Sequence, residues 1–73
     1  MTHAINAEIV ATVLSVDVAV GDTVTAETPV VVLESMKMEI PVLAEVDGTV
    51  IDLAVSPGDV VHDGDRLVSV DPA

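Results

Sequence analysis

The chain has 73 residues without Cys, Phe, Tyr or Trp, and its 2 basic and 13 acidic residues give a net charge of −11. This length fits one small domain, and the absence of cysteine excludes both a disulfide framework and a thiolate metal site. The acidic balance and the lack of aromatic stacking platforms argue against the binding of nucleic acid.

Apolar side chains alternate with polar or small ones in two segments, residues 16–20 and residues 51–55. This period of two predicts strands with one face in a core. Four groups of turn residues separate the strand-like segments, and the Gly of each is expected to supply a positive φ. Short strands with frequent turns predict an all-β sandwich or small barrel. The predicted turns are Gly21-Asp22, Asp47-Gly48, Pro57-Gly58-Asp59 and Asp63-Gly64-Asp65.

The sequence repeats itself after 37 residues. Shifted by this distance, residues 8–33 fall on residues 45–70 without a gap, and eight of the 26 positions are identical. Gly21-Asp22 falls on Gly58-Asp59, so the same turn chemistry recurs at the same offset. Two copies predict two half-domains that pack about a pseudo-twofold axis and share one core.

Residues 34–44 lie between the repeats and contain the single lysine, Lys37. Strand-like segments flank this region at 29–33 and 40–43, which predicts a hairpin with Met36-Lys37 at or near its tip. Pro41 then belongs on an edge strand, where the missing N–H is not needed by the ladder.

Methionine stands on both sides of Lys37, where a turn usually has Gly, Asn or Asp. Such a departure without a visible structural gain is expected at functional positions. An exposed lysine with a flexible four-carbon stem is also a usual site of covalent modification. Alternatively, Met36 and Met38 could pack in the core, since a spacing of two places them on one face of a strand.

The sequence Glu34-Ser35-Met36-Lys37-Met38 resembles the attachment motif of biotinyl domains, the biotin carriers of biotin-dependent carboxylases and decarboxylases. The resemblance covers about Ala7 to Val70. It implies a flattened barrel-sandwich of two antiparallel sheets with pseudo-twofold symmetry. It also implies one biotinyl domain over residues 1–73, with repeat halves 8–33 and 45–70 and an attachment hairpin at 34–44.

The resemblance also implies a role for each residue of the motif. Lys37 is the residue to which a biotin protein ligase joins biotin, and Met36 and Met38 favour correct recognition. Glu34 and Ser35 complete the motif, although Ala is more usual in the family at the position of the small Ser35. Gly21 and Gly48 match turn glycines of the family.

The function implied by the resemblance is that of a non-catalytic biotin carrier. A biotin carboxylase carboxylates the attached biotin, and a carboxyltransferase passes the carboxyl group to an acceptor. The domain itself supplies proximity, because a tethered cofactor reaches each site at high effective concentration. The carrier is expected to be a monomer when free.

Two alternatives from other classes remain open on the sequence. A lipoyl carrier domain, from an oxo-acid dehydrogenase or the glycine cleavage system, has the same architecture. Its attachment site usually resembles Asp-Lys-Ala, however, and methionines flank Lys37 in this chain. The other alternative is a β-barrel interaction module in which Lys37 is not modified.

The chain offers few groups for catalysis of its own. A hydrolytic triad needs a nucleophile, a base and an orienting acid, but we expect His3 in a frayed terminus and His62 in a solvated turn. Asp59, Asp63 and Asp65 could attract a hard cation, but the bidentate Glu that completes a calcium loop is missing. We interpret these three residues as a solvated acidic turn and predict no metal site.

The sequence gives no sign of secretion or of a membrane span. Residues 1–7 carry no basic region of the kind that begins a signal peptide, and the longest apolar run, Pro29 to Leu33, has only the length of a strand. Because the chain also starts with Met1, we expect a complete cytoplasmic protein.

Overall fold

Eight antiparallel β-strands form the fold of the computed structural model, which describes residues 2–73. Within this range there is no helix long and apolar enough to cross a membrane. The strands are β1 (His3–Asn6), β2 (Ala11–Val16), β3 (Thr23–Val24), β4 (Pro29–Ser35), β5 (Met38–Leu43), β6 (Gly48–Leu53), β7 (Val60–Val61) and β8 (Arg66–Pro72).

The strands form two four-stranded sheets that face each other across one core. The order β1-β8-β6-β3 makes one sheet, here called the terminal sheet because it contains the first and last strands. The order β5-β4-β2-β7 makes the other, here called the hairpin sheet because β4 and β5 form the hairpin around Lys37. The predicted all-β architecture of two antiparallel sheets is confirmed. Its buried apolar side chains are Ile5, Ala7, Ala11, Val13, Val24, Val30, Val31, Leu33, Ala44, Val50, Val61, Leu67, Val68 and Val70.

The predicted pseudo-twofold relation between the halves is also confirmed. A shift of 37 residues carries β1, β2, β3 and β4 onto β5, β6, β7 and β8, so it exchanges the two sheets. Backbone hydrogen bonds are exchanged as well: Gly21 N donates to Val50 O at 2.8 Å, and Gly58 N donates to Val13 O at 2.8 Å. The structural repeat extends beyond residues 8–33 and 45–70, because β1 is the counterpart of β5.

The strands predicted over 16–20 and 51–55 end earlier in the structure, at Val16 and Leu53. The cause is side-chain capping of the following turns. Asp22 Oδ2 accepts the N–H of Ala19 at 2.9 Å, and Asp59 Oδ2 accepts the N–H of Ser56 at 2.9 Å. A local side-chain acceptor of this kind competes with the ladder for backbone donors. The apolar alternation persists because Val18 and Val55, beyond the strand ends, still pack on the core.

Gly48 is not a turn residue with positive φ, as the sequence had suggested. It begins β6, whereas the φ values of Gly21, Gly58 and Gly64 are 98°, 94° and 93°. Glycine is needed at position 48 for a different reason, since an added β-carbon would overlap with the backbone carbonyl group of Asp71 on β8. The close approach of two strands therefore excludes a side chain at this position.

His3 does not lie in a frayed terminus, which corrects the expectation from its position in the chain. It is the first residue of β1 and pairs with Val70 of β8. Its Nε2 lies 3.3 Å from Oε1 of Glu45, the residue that follows the end of β5 by two positions. His3 departs from the expectation because β-sheet pairing with β8 holds β1 on the edge of the terminal sheet.

Replacing Gly48 by Ala should destabilise the domain by about 3 kcal/mol, because the β6–β8 ladder must separate to admit a methyl group. Gly21→Ala is the control. Its φ is unfavourable for Ala, but nothing lies within 4 Å of the added carbon, so we expect a loss of about 1–2 kcal/mol. Urea unfolding measures both losses, and equal losses would contradict the steric explanation.

Candidate functional site

The β4–β5 hairpin closes with a two-residue loop made of Met36 and Lys37. The strands pair up to Ser35 and Met38, which directly flank this loop. Met36 has a φ of 53° and Lys37 a φ of 65°. Positive φ at both central residues is the requirement of a type I′ turn, whose twist matches that of the flanking strands. Lys37 therefore lies at the hairpin tip, as the sequence predicts.

The tip carries local backbone strain. Three non-glycine residues have positive φ within residues 2–73, and two of them are Met36 and Lys37. For a residue with a side chain, the left-handed region costs roughly 1–2 kcal/mol. Asn-Gly would satisfy this turn with less strain. The sequence therefore keeps Met and Lys at the tip at the expense of local stability, a pattern found at functional positions.

The side chains at the tip are free of the protein body. Met36 is 92% exposed and Met38 is 66% exposed, so the alternative that this pair packs in the core is wrong. Lys37 is exposed too. Within residues 2–73, no carboxylate lies within 4.0 Å of its ammonium group. An amine in this position is accessible to a second protein, and the methionines offer it adaptable apolar contacts.

Two carboxylates stand directly opposite each other just below the tip. Glu34 on β4 pairs with Glu39 on β5, and both are exposed. Like charges at facing positions weaken a hairpin. With Lys37 the hairpin end carries one positive and two negative charges, and neutralising the amine would leave only the two negative charges there. Half-buried Ser35 lies between Glu34 and the turn.

Sequence reasoning named Glu34 but missed Glu39. The signal was present, because a two-residue loop at 36–37 places positions 34 and 39 opposite each other.

The other candidate residues do not meet at one site. Asp59 caps its own turn, and Asp65 Oδ2 accepts the N–H of His62 at 2.9 Å. His62 Nδ1 lies 3.7 Å from the same carboxylate, and its side chain is 68% exposed. Together with Asp63, these residues form exposed turns. Among residues 2–73 there is no group of three or more His, Cys, Asp or Glu side chains placed to hold a metal ion.

The fold and the exposed hairpin lysine define the class of carrier domains that hold a cofactor on a β-turn. The chain matches the model of the biotin/lipoyl attachment family, described as "Biotin-requiring enzyme", over residues 3–70, and it belongs to this family. The resemblance seen in the sequence is thereby confirmed.

Two relatives show the same likeness in sequence. The "Biotinylated protein TB7.3 homolog" of Mycobacterium leprae is 50% identical over 70 residues, which cover 96% of this chain and 99% of that protein. The "Biotin carboxyl carrier protein" of Streptococcus mutans is 46% identical over 59 residues, which cover 81% of this chain and 45% of that protein. The chain thus spans nearly all of the first relative and less than half of the second.

Solved structures show the likeness in three dimensions. A single-chain, multi-domain long-chain acyl-CoA carboxylase superposes with a TM-score of 0.92 at 32% identity, over 99% of this chain and 7% of that one. The lipoyl domain of the 2-oxoglutarate dehydrogenase complex from Azotobacter vinelandii superposes with a TM-score of 0.76 at 25% identity, over 94% and 98% of the two chains. The shared architecture does not by itself distinguish a biotin carrier from a lipoyl carrier.

Met36→Asn should stabilise the domain by about 0.5–1 kcal/mol, because Asn tolerates the left-handed conformation better than Met. Met38→Asn is the matched control, since Met38 is a strand residue that lacks a positive φ. We expect no gain from this control. Urea unfolding of both variants measures the difference, and an equal gain would show that lower exposed hydrophobicity, not turn strain, is responsible.

Proposed function

We propose that the chain is a biotin carrier in which biotin is held as an amide on Nζ of Lys37. The observation that carries this proposal is an exposed lysine at the second position of a two-residue turn, between two exposed methionines, in a chain of the biotin/lipoyl attachment family. Lys37 is also the only lysine of the sequence. Its amine fits this role because neither burial nor an ion pair restricts it.

The proposed modification is a condensation at Lys37. A biotin protein ligase uses ATP to convert the biotin carboxyl group into a mixed anhydride with a phosphate group. The Nζ lone pair attacks the carbonyl carbon, the C–O bond of the anhydride breaks, the phosphate-bearing group leaves, and Nζ loses a proton as the amide forms. The ammonium form has no free lone pair, so a base of the ligase or solvent must first take one proton. The product lacks one positive charge, which changes the net charge from −11 to about −12.

The domain contributes position and reach to the later chemistry. When bound, biotin supplies a ureido nitrogen that accepts a carboxyl group at one site and releases it at another. The hairpin fixes the backbone of Lys37, and the flexible side chain lets the attached group move between sites. The gain is a high effective concentration at each site. The chain is a carrier and supplies no catalytic group.

The partners proposed for this carrier follow from the same chemistry. They are a biotin protein ligase, a biotin carboxylase and a carboxyltransferase, and the likeness to one domain of a multi-domain acyl-CoA carboxylase supports the last two. An acidic chain is attracted to partner surfaces that carry basic residues. We place the domain in the cytoplasm, where ATP is available for ligation, and expect it to be a monomer when free.

The lipoyl alternative is not favoured. The relatives reported above are named for biotin, and methionines stand where lipoyl sites usually have Asp and Ala. A second alternative is an interaction module in which Lys37 stays unmodified. The intact mass of the protein distinguishes the two, because only a carrier gains a covalent adduct.

Lys37→Arg should abolish biotinylation without unfolding the domain. Arg keeps the charge but is not a substrate for this acylation, and the exposed side chain makes no contact on which the fold depends. The measurement is intact mass after incubation with biotin, ATP and biotin protein ligase, with fragmentation to place the adduct. The unmodified domain is the positive control.

A biotin adduct that persists in the Lys37→Arg protein would contradict the assignment of the attachment residue. A lipoyl adduct on protein purified from its native cell would replace biotin with lipoate in the proposal. Loss of the folded state in the variant, seen by urea unfolding, would show that Lys37 has a structural role.

Exchanging both flanking residues, Met36→Asp with Met38→Ala, should lower kcat/KM for biotinylation by about tenfold, a loss of roughly 1.4 kcal/mol of transition-state binding. The lost interaction is the apolar contact that the exposed methionines offer to the ligase. Val20→Asp is the control, because Val20 is 59% exposed but lies in the turn between β2 and β3, outside the hairpin. An equal loss in the control would point to net charge as the cause.

A further inference from the structure

The internal repeat allows the outer faces of the two sheets to be compared position by position. Each outward residue of the hairpin sheet has a counterpart 37 positions away in the terminal sheet. The two sheets have the same strand order and similar register, including a register shift at corresponding places in β2 and β6. Any difference between the outer faces is therefore a difference of side chains on one shared backbone plan.

The outer face of the terminal sheet is occupied by its own polar network. Arg66 Nη2 lies 2.9 Å from Asp52 Oδ2, and Arg66 Nη1 donates to Ser69 Oγ at 3.0 Å. This network covers Ser69, which is only 3% exposed. Hydrogen bonds within the sheet thus satisfy its central polar groups.

The corresponding positions of the hairpin sheet have no such network. Pro29, Ser15 and Val32 take the places of Arg66, Asp52 and Ser69. The difference continues toward the edges, where apolar residues of the hairpin sheet replace small or polar residues of the terminal sheet. Leu43, 39% exposed, replaces Asn6, and Val60, 62% exposed, replaces Thr23; Pro41 likewise replaces Ala4. We call Leu14, Pro29, Val32, Pro41, Leu43 and Val60 the apolar face.

The apolar face is continuous with the hairpin tip. Pro29 and Val32 are on β4 and Pro41 and Leu43 are on β5, the two strands that carry Lys37 between them. At the tip end, facing Glu34 and Glu39 border it with negative charge. Contiguous exposed apolar surface with a charged border is typical of a protein interaction site.

We propose that the apolar face is the surface on which a biotin protein ligase docks. This inference rests on the proposed function. The reacting atom is Nζ, at the end of one side chain, so the ligase must bring its active site against the hairpin itself. The terminal sheet does not carry the hairpin. The partner surface has an apolar centre against β4 and β5 and basic side chains that face Glu34 and Glu39.

The internal symmetry supplies a matched pair of variants. Leu14 and Ile51 are counterparts at the register shifts of β2 and β6, and they are 39% and 44% exposed. Leu14→Ser alters the apolar face, and Ile51→Ser makes the same kind of change on the terminal sheet. A second test variant, Leu43→Asn with Val60→Thr, introduces the residues that the terminal sheet has at these positions.

The assay measures kcat and KM for biotinylation of the apo domain by biotin protein ligase with biotin and ATP. We expect the KM for the domain to rise about fivefold with Leu14→Ser and about tenfold with the double variant, as for truncated side chains at an interface core. We expect kcat to stay within twofold, because Lys37 and its turn are unchanged. Ile51→Ser should change neither constant by more than twofold.

Urea unfolding of each variant checks that the protein used as substrate is folded. If Leu14→Ser unfolds the domain, the double variant still tests the proposal, because Leu43 and Val60 are exposed. An unchanged KM in the double variant would overturn the docking proposal, and so would an equal rise in Ile51→Ser. Failure of the unmodified domain to gain biotin is a different result, which would overturn the proposed function itself.

Discussion

The fold depends on hydrogen bonds by which each half of the chain holds the other. Val50 N donates to Asp22 O at 2.9 Å, and its counterpart Val13 N donates to Asp59 O at 2.8 Å. Through these bonds the turn of one half closes on the central strand of the other, and β3 and β7 complete the partner sheets. Neither half has a core of its own, so the two halves must fold together. A 73-residue chain obtains a shared core in this way without a disulfide or an aromatic residue.

The same pseudo-twofold relation explains why the Met36-Lys37 turn is a separate feature. The 37-residue shift relates β4 to β8 and β5 to β1, and no two-residue turn joins β8 to β1. The turn at 36–37 therefore has no counterpart in the repeat. Because the core is complete without it, Met36 and Lys37 can hold strained conformations and exposed side chains while the rest of the chain supplies stability. The proposed attachment residue thus lies in a turn whose sequence is not constrained by packing in the core.

The sequence predicted the fold class, the pseudo-twofold relation and the hairpin tip, because each depends on patterns that are local or repeated. It was less accurate about strand ends, where a side-chain carboxylate and not a neighbouring strand accepts a backbone N–H. The alternation at Val18 and Val55 reports burial correctly, but Asp22 and Asp59 end the strands before these residues. At Gly48 the determining contact comes from β8, 23 residues further along the chain. No turn signal in the local sequence distinguishes a glycine required by φ from one required by the approach of another strand.

Periodicity identifies which residues of a strand are buried, but it treats the two outer faces of a sandwich as equivalent. The distinction here depends on Arg66, whose contacts with Asp52 and Ser69 are set by the register of β6 and β8. From the sequence alone, the outward residues of the terminal sheet are only scattered polar positions. Their counterparts in the hairpin sheet are only apolar residues and prolines in strands. Comparison of the two halves on one backbone separates a face that satisfies its own polar groups from an apolar face without such a network, and the apolar face shares β4 and β5 with the Lys37 turn.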